Sequence, residues 1–261
     1  NFITSKVPKI VEKYYSNGVN IYMVKALSKI SSVLPFSIFE ILIYILALVI
    51  LIFLMYFIFC TIKNPKKILS LFLNFILNII SIIGIVYFIF VVLWGINYNR
   101  MDLKDSLIEY YNKTNNMAIK KVEYNEEDLI ELYKFLIKKC NETRKKVSED
   151  KYKVMKCNSN YKDTLSRAES VYLNVKILDL DKKGIYAKAK PIFNSNLLCY
   201  TGITGIYSPF TGEANVNISS PDIYIPFTTL HEMAHQRGYA SEDEANFLAY
   251  IACINNKDFD F

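Results

Sequence analysis

The chain has 261 residues, 52% of them hydrophobic and 21% charged, with a net charge of +6. Aromatic residues make up 15%, and a composition this apolar excludes a disordered chain. The mean hydropathy of +0.17 is high for a soluble protein, and the excess lies between Pro35 and Trp94. The basic balance does not point to nucleic acid, because the lysines are scattered and no motif of that class is present.

Residues 1–35 hold no run long enough to cross a bilayer. Met23, Leu27, Ile30 and Leu34 recur at helical spacing beside Lys25 and Lys29, which predicts an amphipathic helix at the membrane interface or against the rest of the protein. The chain starts with Asn1 and shows no recognisable signal peptide.

Two apolar stretches follow, at about 36–62 and 68–96. In the first, Glu40 is the one charged residue. Each is long enough to cross a ~30 Å hydrocarbon core at about 1.5 Å per residue. Pro35, Ser37 and Glu40 form a capping-box pattern at the start of the first, with Glu40 expected to satisfy the amides of that helix end. In the second, Ser70, Asn74, Asn78, Ser81 and Gly84 fall at three- and four-residue steps, a small, polar stripe suited to packing against another helix. Trp94 and Tyr98 sit where an aromatic belt would hold the far end. The loop 63–67 carries Lys63, Lys66 and Lys67, so the positive-inside rule puts it in the cytoplasm and everything after Trp94 outside. The expected setting is a multi-pass cell-membrane protein whose first partner is the lipid bilayer.

Residues 97–261 read as a soluble α+β domain, mostly helical. Asn125 is expected to cap a helix through about Lys146, with Leu129, Leu132, Leu136 and Cys140 on its apolar side. Asp163 is expected to cap a second helix through about Val175, and Gly184 to open an extended run from Ile185 to Phe193. Cys140, Cys157, Cys199 and Cys253 match no zinc spacing; disulfides and free thiols both fit.

Both histidines of the chain lie in His231-Glu232-Met233-Ala234-His235. A chance H-E-x-x-H is expected in roughly one such chain in a thousand. Residues four apart share one helix face, so both imidazoles can bind one zinc ion at about 2.0–2.1 Å. Glu232 then lies where its carboxylate can take a proton from an attacking water. The bland alternative is a surface helix that happens to carry two histidines. Pro226 precedes the motif, Thr228 or Thr229 is expected to cap its helix, and Gly238 to end it.

A catalytic zinc needs a third protein ligand. Ser241 and Glu244 form a second capping-box pattern, which occupies Glu244 and leaves Glu242 free to turn towards the metal. Glu244 is the weaker candidate, and Asp243 points away. Asn246, one turn beyond Glu242, is expected to hold a ligand histidine through its second nitrogen. Upstream, Gly212 to Ser219 alternates apolar Ala214, Val216 and Ile218 with Glu213, Asn215 and Asn217, the period of a half-buried strand. Gly212, Glu213, Asn215 and Asn217 are therefore expected on an edge strand against which an extended substrate could lie, or on an ordinary sheet strand with a polar face. Tyr200, Tyr207 and Tyr239 are candidate oxyanion stabilisers, and nothing selects among them.

These segments carry a resemblance. Pro35-Phe36-Ser37 with Glu40, the run Pro209 to Asn217, and His231 to Tyr250 resemble a bacterial family of polytopic membrane proteins catalogued as a domain of unknown function. The resemblance implies a zinc metallopeptidase without an established substrate. It also implies a further span before Asn1 and more helix after Phe261. The step from Glu242 to Asn246 is similar to the Glu-x-x-Ala-Asp/Asn step of glutamate-liganded (gluzincin) zinc peptidases. That likeness implies that Glu242 binds zinc and Asn246 steadies a histidine. The expectation is a membrane-anchored, zincin-like peptidase with one Zn2+ per chain and a peptide or protein substrate. The rival is a membrane sensor or scaffold in which the zinc site is structural or self-processing.

Overall fold

A computed structural model describes residues 2–116, 118–120, 123–175, 184, 186–258 and 260–261. The described residues are mostly helical, with two small sheets. The chain opens with α1 (Pro8–Ile10), a π-helical stretch Val11–Val19 and α2 (Asn20–Ser31). This segment packs on the domain through Asn20, Val24, Ser28 and Ser31, while Ile30 is exposed. The contact face is thus offset from the apolar stripe expected from Met23, Leu27, Ile30 and Leu34. Small residues win there because Gly212, at φ +65°, brings its backbone against that of Val24 and Ser28; a Cβ on it would lie 2.9 Å from Ser28 N.

The apolar stretches form α3 (Ile38–Lys63) and α4 (Ile68–Leu93), joined by Asn64 and a 3-10 turn Pro65–Lys67. Both are long and apolar enough to cross a membrane, and neither is buried in the protein. They touch through rings, Phe75 stacking on Phe53 at 4.9 Å and meeting Phe57 at 4.6 Å. The stripe Ser70, Asn74, Asn78, Ser81 and Gly84 is exposed, and a Cβ on Gly84 would meet nothing within 4 Å. Among the described residues that stripe packs against no helix. The root of the hairpin is bound to the domain at both ends. The carbonyls that end α4 are met by the N-terminal segment, Tyr15 donating to Val92 O at 2.7 Å and Asn20 to Leu93 O at 2.9 Å.

At the start of α3, Ser37 caps the helix by accepting from Glu40 N. The expected second half of that capping box does not form. The Glu40 carboxylate instead accepts from Phe193 N and Asn194 N. The first amides of α3, on Ile38 and Phe39, are taken by Glu213.

Further along the chain come α5 (Leu103–Asn115), α6 (Glu126–Arg144), the hairpin β1 (Ser148–Glu149) with β2 (Met155–Lys156), and α7 (Tyr161–Leu173). Asn125 caps α6 in a full capping box with Asp128. The apolar side of α6 is uncovered, however, with Leu129 and Leu132 exposed. Asn160, and not Asp163, caps α7 by accepting from the amides of Lys162 and Asp163; Asp163 is the third residue of the helix. Asn160→Ala should lower stability by about 1 kcal/mol, read as a shift of the chemical unfolding midpoint.

The second sheet has the order β3 (Lys190–Pro191), β5 (Glu213–Val216), β4 (Gly205–Ser208), with β5 parallel to β3 and antiparallel to β4. Of the expected extended run from Ile185 to Phe193, only β3 is a strand; Ile185 lies outside the described residues. A short α8 (Ser195–Leu198) leads into β4. The sheet packs on α9 (Tyr224–Gln236), which packs in turn on α10 (Glu242–Ile254) and α7. Leu230, Met233, Ala234, Ala245, Leu248 and Tyr172 fill the core between them. All five cysteines are free thiols.

Candidate metal centre

Helix α9 starts at Tyr224, so Pro226 lies in its first turn and neither Thr228 nor Thr229 caps it. Thr229 instead bonds back to Ile225 O. The helix ends at Gln236 because Gly238 takes φ +87°. Its inner end is tied to the core: Tyr172 donates to Leu230 O, and Arg237 bonds Met233 O and Glu169 between the rings of Tyr172 and Tyr186. Those ties fix the rotation of α9 and turn His231 and His235 to the same side.

The two imidazoles face one another with Nε2 to Nε2 at 3.1 Å. Glu242 completes the group, one oxygen 3.1 Å from His231 Nε2 and the other 3.5 Å from His235 Nε2. Ligands about 2.0–2.1 Å from a tetrahedral zinc stand about 3.3 Å apart, so these spacings fit one face of such a site. The chemistry fits as well. His235 Nδ1 lies 2.6 Å from Tyr239 O, so Nδ1 carries the proton and Nε2 presents a lone pair. Three lone-pair atoms converging at this distance repel unless a cation or a proton lies among them. Burial and the neighbouring His235 both lower the pKa of His231, with Glu242 opposing them, which favours the neutral, metal-binding form.

Glu242 is the first residue of α10, as expected, and its side chain is 77% exposed. The reason it is free differs from the expected one. Ser241 makes no side-chain cap and donates to Asp243 instead. Glu244 accepts from Leu103 N at 2.6 Å and so caps α5, away from the two histidines. Asn246 faces His231 and favours its protonated form, yet His231 Nδ1 is buried without a hydrogen-bond partner. The expected Asn246 tether is therefore not closed at that nitrogen.

The group opens into a cleft of about 760 Å³ lined by Phe90, Trp94, Gly205, Tyr207, Thr228 and Glu232 among others. Glu232 is 5% exposed. Burial pushes its carboxyl up to about 8, the charge of Glu242 adds to the rise, and the Tyr207 N–H opposes it. Gly205 is the residue sequence reasoning missed: a Cβ there would stand 2.5 Å from Glu232 Oε1 and 2.7 Å from Thr228 Cγ2. Gly205→Ala should therefore displace Glu232 while leaving His231, His235 and Glu242 in place. The variant should unfold at a lower temperature than the unaltered protein, checked by thermal unfolding in detergent.

The expected substrate strand is corrected by the sheet order. Gly212, Glu213, Asn215 and Asn217 lie at or in the central strand, which is paired on both sides. Gly212 serves the approach of α2. Glu213 serves the root of α3. Asn215 and Asn217 donate to Ile206 O and Ile203 O, holding the β4 segment. The edge beside α9 is β4. Asn217 N donates to Thr204 O at 2.8 Å. By the alternation of an antiparallel pair, Ile206 and Ser208 also bond inward, and the backbone groups of Gly205 and Tyr207 point to the free edge.

Of the three tyrosines, Tyr207 lines the cleft, with its ring 4.8 Å from Trp94 and its hydroxyl buried and unpartnered. Tyr200 is exposed outside the cleft lining. Tyr239 is buried under Arg100 and contributes its carbonyl to His235.

The fold defines a class: a mostly helical chain with small sheets and an apolar helical hairpin. Over residues 15–261 it matches the model of a family described as a protein of unknown function (DUF3810), and it belongs to that family. No curated protein and no solved structure matches it.

Proposed function

We propose that the protein is a membrane-anchored zinc metallopeptidase. The carrying observation is the convergence of His231, His235 and Glu242, whose ligand atoms lie within 4.8 Å of one another, beside a buried glutamate in an open cleft. Zinc held there would polarise a substrate carbonyl and acidify water, the chemistry that this ligand set supplies. Glu232 takes the proton of the attacking water and passes it to the leaving amine. The outward-facing backbone of Gly205 and the carbonyl of Tyr207 bind an extended peptide as an added strand, the Tyr207 N–H being held by Glu232. The exposure of Glu242 favours an open catalytic site over a closed structural one, which a scaffold would use.

The hairpin spans the membrane, with Lys63, Lys66 and Lys67 on the cytoplasmic side and the cleft outside. The exposed stripe on α4 suits a partner helix. The test is a fluorogenic peptide library presented to the reconstituted full chain. Hydrolysis should stop on chelation and return with zinc; hydrolysis indifferent to both treatments would refute the proposal.

A further inference from the structure

No charged residue occurs between Lys190 and Glu213, a long gap in an otherwise Lys-rich domain. Within that gap Phe193, Leu197 and Tyr200 are 89%, 64% and 89% exposed. Loops that meet only water rarely leave large rings this bare in a row. The position of the segment gives a reason. Its start is fastened to the first turns of α3: Glu40 accepts from Phe193 N at 2.7 Å and Asn194 N at 2.9 Å, and the Asn194 amide donates to the Tyr44 hydroxyl.

Lys63 and Lys67 mark the far boundary of the hairpin. About 20 residues cross a ~30 Å hydrocarbon core, so the near boundary falls beside Tyr44 on α3 and Tyr87 on α4. Asn194 therefore touches α3 at the level where lipid headgroups meet acyl chains. On the same root, Val33, Leu34 and Phe36 are also exposed.

We infer that the segment Phe193–Tyr200 is a lipid-binding foot, seated about 5–10 Å into the headgroup and acyl boundary as an interfacial helix is. Phe193 and Leu197 enter the apolar layer, and Tyr200 places its ring there with its hydroxyl towards the headgroups. Together with the hairpin the foot gives the domain a separate point of support, which fixes its tilt. Phe90, Trp94 and Tyr98 line the cleft from just above the same boundary, so the cleft opens along the bilayer surface. Polypeptide held at the membrane would reach it before peptide in bulk water.

The foot rests on the membrane reading of the hairpin and is independent of the zinc chemistry. Two measurements on the unaltered full chain in phosphatidylcholine–phosphatidylglycerol liposomes test it. Lipids carrying an acyl-chain diazirine should form photoadducts on Phe193–Tyr200 as well as on α3 and α4. In hydroxyl-radical footprinting, Tyr200 should lose labelling relative to Tyr152, although Tyr152 is the less exposed of the two at 74%. Adducts confined to the hairpin, or Tyr200 oxidised as readily as Tyr152, would overturn the foot alone. Protection of Tyr200 without lipid adducts would overturn it too, since a protein would then cover the segment. Absence of adducts from α3 and α4 would overturn the membrane reading itself.

Discussion

Glu232→Gln should leave zinc content unchanged and reduce peptide turnover by about 10²–10⁴-fold, the contribution of a positioned general base. Glutamine matches glutamate in shape, so the packing of Gly205 and Thr228 around that side chain survives the change. The carboxylate of Glu232 is not one of the three converging ligand atoms, so metal affinity should not depend on it. What is lost is basicity. Burial and the charge of Glu242 raise the carboxyl to about 8 against the pull of the Tyr207 N–H. A cation at the ligands would favour the charged form and draw the value back towards neutrality, where a base is useful. Turnover assays beside elemental analysis separate the outcomes: undiminished hydrolysis in the variant rules out this proton acceptor.

Glu213→Ala should cost about 3–5 kcal/mol of stability, as expected when one partner of a buried ion pair is removed. Glu213 is 1% exposed and holds Lys190 Nζ at 2.6 Å. The same carboxylate takes the amides of Ile38 at 3.1 Å and Phe39 at 2.8 Å. Lys190 also donates to Ser31 O and Phe36 O, so this pair joins the central strand, the end of α2 and the root of α3. Without Glu213 the lysine charge stays buried beside carbonyls alone, and two helix amides lose their acceptor. Thermal unfolding in detergent should show a large drop in midpoint. A midpoint near that of the unaltered protein would mean the hairpin root is held by other contacts.

The hairpin was legible because two long, nearly uncharged apolar runs are long enough to cross a membrane, and the juxtaposition of the histidines because residues four apart share one helix face. The place of Glu242 beside the histidines was reached by an argument half right: Glu244 is occupied, but by the start of α5, a neighbour 141 residues distant in sequence. Local patterns cannot name such a partner. The strand Glu213–Val216 forms as its alternation implies, but its expected place at an edge fails for a related reason. Alternation marks a strand with one wet face, yet Glu213 and Asn215 are buried. Both faces are covered, by α9 and by the α2–α3 root; Glu213 bonds Lys190 and the first amides of α3, and the Asn215 amide donates to Ile206 O. Gly205 carries no signal except its small size, which matters only once Glu232 is placed beside it.

Zinc per chain in the detergent-purified protein, measured by elemental analysis with His235→Ala beside it, tests the central claim most directly. About one zinc per unaltered chain and a loss of that zinc in the variant is the expected result for a single three-ligand site. A folded protein without zinc, or zinc that persists after His235 is removed, would contradict it.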